Sequence, residues 1–156
     1  MTSTDTTGLR LRKATAADAP AIHAIDQACF PPGRDDVEPA HPDEIENALA
    51  TDQITVASLD GKIIGFLQTE VLGEEHIYLG ALAVHPDFQR TGVGARLIAR
   101  FTDFVAQKRP RPSATTVTSP QNVAMIDLLT RSGFVGTRGV ANYFGPHKDR
   151  VYFQLK

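Results

Sequence analysis

The clearest chemistry in this chain lies in the run Val84-His85-Pro86-Asp87-Phe88-Gln89-Arg90-Thr91-Gly92-Val93-Gly94-Ala95-Arg96-Leu97. It reads as a strand that ends, a short glycine-containing turn and the start of a helix. A helix N-terminus leaves its first four backbone N–H groups without intrahelical partners, and aligned peptide dipoles add roughly half a positive charge there. A pyrophosphate is well received at such a junction. Gly92 and Gly94 carry no Cβ, so a phosphate can approach the backbone closely. Two phosphate motifs are excluded. A P-loop needs Gly-Lys-Ser or Gly-Lys-Thr, whereas Gly94 is followed by Ala95-Arg96. A dinucleotide fingerprint needs a third glycine and an acidic residue about 20 positions on, and neither is in place.

Just upstream lie groups that can move protons. In an extended strand His76, Tyr78, Gly80 and Leu82 share one face, while Glu75, Ile77 and Leu79 share the other, unless a bulge resets the count. His76 is the first candidate base, because an imidazole with an ordinary pKa of about 6.5 accepts a proton near neutral pH, directly or through a water. It reads equally as a solvated histidine at a strand start. Glu74 and Glu75 either relay a proton and hold a positive charge or stand as solvated turn carboxylates. Cys29, the one cysteine, cannot form an internal disulfide and reads as a small buried hydrophobe on a helix.

These residues need elements to position them. Leu9 to Arg12 alternates as a half-buried strand. Thr15 and Asp18 have capping-box spacing before a helix carrying Ile22, Ile25 and Cys29, which Pro31-Pro32-Gly33 ends. A loop rich in proline and acid runs to Pro42, the expected first position of a second helix with Asp43 and Glu44 in its first turn and Ile45 and Leu49 inward. Ile54 to Leu59 and Ile63 to Val71 form a hairpin about Asp60-Gly61, a dipeptide suited to a type I′ turn, and Gly65 marks a bulge. Ile77 to Val84 is almost wholly apolar and is expected as a strand covered on both faces.

The helix opened by Gly92 is expected to run to about Gln107 with Leu97, Ile98, Phe101, Phe104 and Val105 buried. Lys108-Arg109-Pro110-Arg111-Pro112 breaks it as a solvated connector. A strand at Thr115 to Thr118 precedes a helix capped by Ser119, with Pro120 at its first position and Gly133 as its stop. Val135 to Val140 and Val151 to Leu155 close the chain as strands, around a loop containing Gly145-Pro146-His147-Lys148-Asp149. This order of elements predicts an α/β domain with a mixed sheet.

Composition narrows the class further. With 156 residues and 42% hydrophobic content, residues 9–156 are expected to form one domain behind a tail of residues 1–8. A formal net charge of -2 gives no electrostatic footprint for nucleic acid. No apolar stretch approaches the roughly 20 residues of a membrane span, and Met1-Thr2-Ser3-Thr4-Asp5 opens as a polar tail rather than a signal peptide. A lone cysteine suits a reducing cytoplasm. No His, Cys and acidic residues have metal-ligand spacing, so no metal is expected. The oligomeric state is open, a homodimer included.

Gln89-Arg90-Thr91-Gly92-Val93-Gly94 resembles the acetyl-CoA signature Gln/Arg-x-x-Gly-x-Gly/Ala of the GNAT superfamily of N-acetyltransferases. Val84-His85-Pro86 is similar to the turn that precedes it there, and Asn122-Val123-Ala124-Met125 with Gly133-Phe134 is similar to its later Asn-x-x-Ala…Gly-Phe segment. The likeness extends from about Leu9 to Lys156. It implies a mixed, mostly antiparallel sheet of six to seven strands with about four helices, splayed between strands 4 and 5. It further implies that the pantetheine of acetyl-CoA pairs with backbone of Leu82, Ala83 and Val84, that the pyrophosphate meets backbone from Gln89 through Arg90, Thr91, Gly92, Val93 and Gly94 to Ala95, and that Asn122 lies on the cofactor's far side.

The same resemblance implies transfer of an acetyl group to a primary amine, either a small cationic molecule or a peptide N-terminus. An alkylamine with a pKa near 10 must lose a proton before attack, the tetrahedral oxyanion needs a donor such as a backbone N–H of the fourth strand, and a thiolate of pKa about 8.5 leaves with modest help. Familiar members often carry a tyrosine acid where this chain has Leu129. The ribosomal-protein type would have a glutamate at Val117, the histone type a glutamate at Tyr78, and the arylalkylamine type histidines at Tyr78 and Gly80. Tyr143, in Ala141-Asn142-Tyr143-Phe144, resembles the aromatic pair lining the acceptor site of N-terminal acetyltransferases and is the candidate acid or acceptor contact. Asp35, Asp36 and Glu38 would form an acidic pocket wall. The competing expectation, raised by Leu129 and Val117, is a CoA-binding sensor or interaction module without turnover.

Overall fold

The computed structural model describes residues 6–31, 42–51, 53–143, 146 and 148–156. Asp35, Asp36 and Glu38, and Phe144, Gly145 and His147 of the closing loop, lie outside the described residues. In chain order the elements are β1 (Arg10–Lys13), α1 (Ala19–Cys29), α2 (Pro42–Ala50), β2 (Ile54–Leu59), β3 (Lys62–Val71), β4 (His76–Val84), α3 (Val93–Gln107), β5 (Ser113–Thr118), α4 (Val123–Arg131), β6 (Phe134–Val140) and β7 (Arg150–Leu155). The seven strands form one sheet in the order β1-β2-β3-β4-β5-β7-β6.

Every neighbouring pair is antiparallel except β4 with β5. That pair meets only at His76, Ile77 and Tyr78, opposite Ser113, Ala114 and Thr115, and the strands diverge beyond it. Below the fork the Ser113 N–H donates to the Glu75 carbonyl at 2.8 Å. At the fork the buried Thr116 hydroxyl donates to the Leu79 carbonyl at 2.8 Å, satisfying a group that has lost its strand partner. The mixed sheet with a parting between strands 4 and 5 is therefore as expected.

Apolar side chains cover the sheet on both faces. On one, α3 and α4 bring Leu97, Ile98, Phe101, Val105 and Leu129 onto Ile77, Leu79, Phe134 and Phe153. On the other, α1 and α2 bring Ile22, Ile25, Ile45 and Ala48 onto Ile54, Val56, Phe66 and Ala83. Phe104 departs from the expected stripe: it is 39% exposed, and the Lys108 ammonium lies 4.6 Å from its ring centroid. The position is at the margin of the apolar arc, where a cation over the ring face replaces core packing.

Local signals fare unevenly. The Asp60-Gly61 turn has positive φ at both residues (52° and 80°), as a type I′ hairpin requires. Asp18 works as expected, accepting from the Thr15 N–H at 2.8 Å, but it serves a 3-10 turn (Ala16–Asp18) that precedes α1. It also takes two bonds from the Arg12 guanidinium, at 2.7 and 3.0 Å. Ser119 and Pro120 do not open α4. They form a turn in which Asn122 N–H donates to the Ser119 carbonyl, and the Asn122 side chain caps the helix by accepting from Met125 N–H at 3.1 Å. The better-placed Asx cap wins over the Ser-Pro signal.

Two register slips matter for the site. In the β2–β3 pair the extra residue is Ile64, between pairs Ala57↔Gly65 and Ser58↔Ile63, so Gly65 itself stays paired. Its role is close approach: a Cβ there would stand 3.1 Å from the Ala83 carbonyl and about 3.5 Å from Leu97 and Val93 of α3. In the β3–β4 pair the extra residue is Gly80, between Gln68↔Ala81 and Thr69↔Leu79. This bulge reverses the alternation. Ile77 and Leu79 face α3 before it, and Leu82 and Val84 do so after it, so Tyr78 and Leu82 lie on opposite faces rather than the shared one expected.

Candidate active site

The divergence of β4 from β5 opens a cleft of about 1230 Å³ that reaches from Pro86 and Gln89 at one end to Glu44, Glu70 and Tyr143 at the other. Its first half is mostly backbone. The His85 N–H bonds to the Ile64 carbonyl at 2.8 Å on β3, so by antiparallel alternation Leu82 and Val84 turn their peptide groups away from β3 into the cleft, while those of Ala83 face β3. The Val84 carbonyl accepts from the Gln89 amide at 3.0 Å and from the Cys29 thiol at 3.1 Å. Burial pushes that thiol's pKa up, although Cys29 is half-buried at the cleft rather than the buried hydrophobe expected.

Beyond Gln89 the chain turns through Arg90 (φ 65°) and Gly92 (φ 91°), and Gly92 is the N-cap of α3. The Thr91 hydroxyl fastens the turn to the Phe88 carbonyl. The first helical bond runs from Arg96 N–H to the Gly92 carbonyl at 3.1 Å, so the N–H groups of Val93, Gly94 and Ala95 precede the ladder and remain available to an anion. The two glycines differ. Open space surrounds Gly92 where a Cβ would stand, whereas at Gly94 that direction ends 3.2 Å from Leu128 of α4. Gly94 is thus small because two helices meet there. Across the gap, Asn122 lines the cleft with its carboxamide oxygen engaged on α4, which leaves its amide N–H groups as donors.

The other half is built of side chains. Tyr78, Glu70, Glu44, Gln68, Tyr143 and Arg150 line it. Glu70 stands opposite Tyr78 in the β3–β4 register, and its Oε1 lies 3.2 Å from where a Cβ on Gly80 would be. The Gln68 amide donates to the same oxygen at 3.3 Å. Burial, reinforced by Glu44, raises the Glu70 pKa. Burial also raises the Tyr78 phenol, helped by Tyr143, Glu70 and Tyr152 and opposed by Arg150. Tyr143 and Tyr152 meet edge to face with centroids 5.8 Å apart and hydroxyls 3.5 Å apart, and the Arg138 guanidinium lies 4.7 Å from the Tyr152 ring.

The sequence candidates therefore separate. Tyr78 and Tyr143 come together in the cleft, with Leu82, Ala83, Val84, Gln89 and Asn122 along the same opening. His76 and Glu75 sit below the fork, outside the lining residues. The His76 Nε2 is 2.7 Å from the Thr115 hydroxyl, and the Glu75 carbonyl ties β4 to Ser113. Leu129 is fully buried. Glu70 was missed because Thr69-Glu70-Val71 reads as the solvated end of a strand. The available signal was Gly80, a glycine inside a covered strand, which marks a bulge or a close approach.

A model of the acetyltransferase (GNAT) family matches residues 19–134. A search of curated protein sequences finds no match. Among solved structures, Ard1 from Thermoplasma volcanium superposes with a TM-score of 0.82 at 19% identity, covering 94% of this chain and 95% of that one. The ribosomal-protein-S18-alanine N-acetyltransferase from Escherichia coli gives 0.79 at 23% identity, covering 94% and 92%. Arabidopsis thaliana Naa50, in complex with the bisubstrate analogue CoA-Ac-MVNAL, gives 0.81 at 14% identity, covering 95% and 98%. Identities this low speak for the fold, and the family model adds the lineage: the chain belongs to the GNAT family of acetyltransferases.

Proposed function

We propose that the protein is an acetyl-CoA-dependent N-acetyltransferase that acylates a primary amine, carried by a small cationic molecule or a peptide N-terminus, by direct attack on the thioester. The observation that carries this reading is the fork: β4 loses its neighbour after Tyr78, turns the peptide groups of Leu82 and the N–H of Val84 into the cleft, and leads into the open N-terminus of α3. Acetyl-CoA supplies an acyl group activated as a thioester. The chain's own groups fit such a molecule. The peptide groups of Leu82 and the N–H of Val84, whose carbonyl is held by Gln89 and Cys29, can pair with its amide-bearing arm as an extra strand, and Val93, Gly94 and Ala95 present N–H groups to its pyrophosphate. Asn122 offers its amide from the opposite wall.

Proton handling follows from the second half of the cleft. Because burial holds the Tyr78 phenol protonated well above neutral pH, Tyr78 is a donor, suited to the leaving thiolate and not to deprotonating an amine. This supports a role that Leu129, enclosed in the core, has no means to fill. Tyr143 borders the acceptor end as a contact for the incoming amine. Glu44 and Glu70 favour a cationic acceptor. The CoA-peptide analogue held by Naa50 supports a peptide N-terminus as one form of it.

The test is release of CoA thiol from acetyl-CoA in the presence of a panel of amines and N-terminally free peptides, with mass spectrometry of the product. Amine-dependent release with acetyl added at nitrogen supports the proposal. Tight CoA binding with no amine-dependent release would instead support the sensor reading.

A further inference from the structure

We propose that Glu70 is the group that binds the acceptor's ammonium and takes its proton; this rests on the acetyltransferase reading above and assigns the half of the reaction that the CoA motif leaves open. Glu70 is in the β3–β4 register opposite Tyr78, yet its carboxylate extends along the sheet to cover Gly80. Gly80 is the bulge residue just past the last β4–β5 pair, so the carboxylate overhangs the point where the strands part. Any larger residue at position 80 would meet Glu70 at 3.2 Å. The glycine and the carboxylate thus form one unit, placed at the mouth between the donor half and the tyrosines.

The charge around it favours a cation as the missing partner. Among the described residues Glu70 takes one hydrogen bond, from the Gln68 amide, and forms no ion pair. The groups around it are Glu44 from α2, Tyr78 from β4 and Tyr143, with Arg150 of β7 lining the same cleft; Glu44 adds like charge, and Arg150 and Tyr152 act on Tyr78. A partly buried carboxylate beside a second carboxylate is improved by an ammonium, which supplies counter-charge and donors together. Aromatic walls from Tyr78 and Tyr143 suit the same guest. The burial that raises the Glu70 pKa also makes it a better proton acceptor than a solvated carboxylate.

The step balances as follows. The acceptor R–NH3+ gives one proton to the Glu70 carboxylate, directly or through a water. The freed nitrogen lone pair forms the C–N bond at the thioester carbonyl, the C–S bond breaks, and the CoA thiolate leaves and is protonated from Tyr78; the second proton of the now cationic nitrogen passes, directly or through a water, to the Tyr78 phenolate, which restores the phenol and leaves a neutral amide. The Glu70 proton returns to solvent when the neutral amide departs.

Wild type, Glu70→Gln, Gly80→Ala and the double variant would be assayed by thiol release with cadaverine and with an alanine-initiated pentapeptide, alongside acetyl-CoA binding and thermal melting. Glu70→Gln should lower kcat/KM for the acceptor at least about 100-fold, leave acetyl-CoA affinity within about twofold, and abolish the acid limb of the pH profile. Gly80→Ala should lower it about 5- to 20-fold by displacing the carboxylate, and should cost nothing further once Glu70 is Gln. Glu70→Gln activity within threefold of wild type, an unchanged acid limb, or fully additive losses would overturn the assignment while leaving the acetyltransferase reading intact. Absence of turnover by wild type with either acceptor would overturn that reading and the assignment with it.

Discussion

The two halves of the cleft are made of different materials. The half proposed for the acyl donor is contiguous in sequence and built mostly from peptide groups: β4 after the fork, the turn at Gly92 and the first turn of α3. The half proposed for the acceptor is assembled from side chains on α2, β3, β4, β7 and the segment before β7, brought together by the sheet order. A molecule recognised through backbone is tolerant of side-chain change, so its site can be kept across distant relatives. A molecule recognised through side chains is chosen by whichever residues the strands bring to the mouth. The GNAT family membership therefore says most about the first half and least about the second.

The largest blow to this division would come at Gly92. Its φ of 91° is hostile to a β-branched residue, so Gly92→Val should disturb the turn that aims the α3 N–H groups. CoA affinity measured by calorimetry is expected to fall about 100-fold, equivalent to about 2.7 kcal/mol, with little change in acceptor selectivity. At the other end, Tyr78→Phe removes one hydroxyl from the acceptor half. It should reduce kcat about 10- to 100-fold in steady-state assays while CoA binding is retained.

Leu129→Tyr asks whether the acid often found at that helix position can simply be restored. The site is fully enclosed among Phe101, Phe134 and their neighbours, so the change should overpack the core, cost about 1–3 kcal/mol in denaturant melts and yield no gain in turnover. The smallest effect belongs to a tie remote from both halves. The Arg12 guanidinium, with help from the Thr15 N–H, holds the Asp18 carboxyl at a pKa of about 2, below its unfolded value near 4. A depressed carboxyl stabilises the fold above its unfolded pKa, and that stability is lost as pH falls from about 4 through about 2. Asp18→Asn should cost on the order of 1 kcal/mol at pH 7, and the gap to wild type should close across that acid window.

What could be read from the sequence follows the same division. Local signals held where one segment settles its own conformation: the Asp60-Gly61 turn, the glycine that starts α3, the doubly covered strand before it. They failed where two segments negotiate. The Ser119-Pro120 signal yielded to the Asn122 cap, the close packing of Gly94 on Leu128 could not be read from its own segment, and the bulge at Gly80 reversed a face that strict alternation had assigned. His76 looked like a reactive group because an imidazole on that face of the strand could take a proton, whereas its place below the fork, beside the Thr115 hydroxyl, depends on where β5 parts from β4. Glu70 was invisible for the converse reason, since an ordinary strand-end glutamate becomes distinctive only when a glycine on the next strand makes room for it.

The division of the cleft can be tested most directly by amide hydrogen exchange with and without CoA. The account predicts new protection at Leu82, Val84 and the first turn of α3 from Val93 to Ala95, with the β3 segment around Glu70 unchanged until an acceptor analogue is added. Protection by CoA centred on Glu70 and Tyr78, with none at the α3 N-terminus, would contradict it.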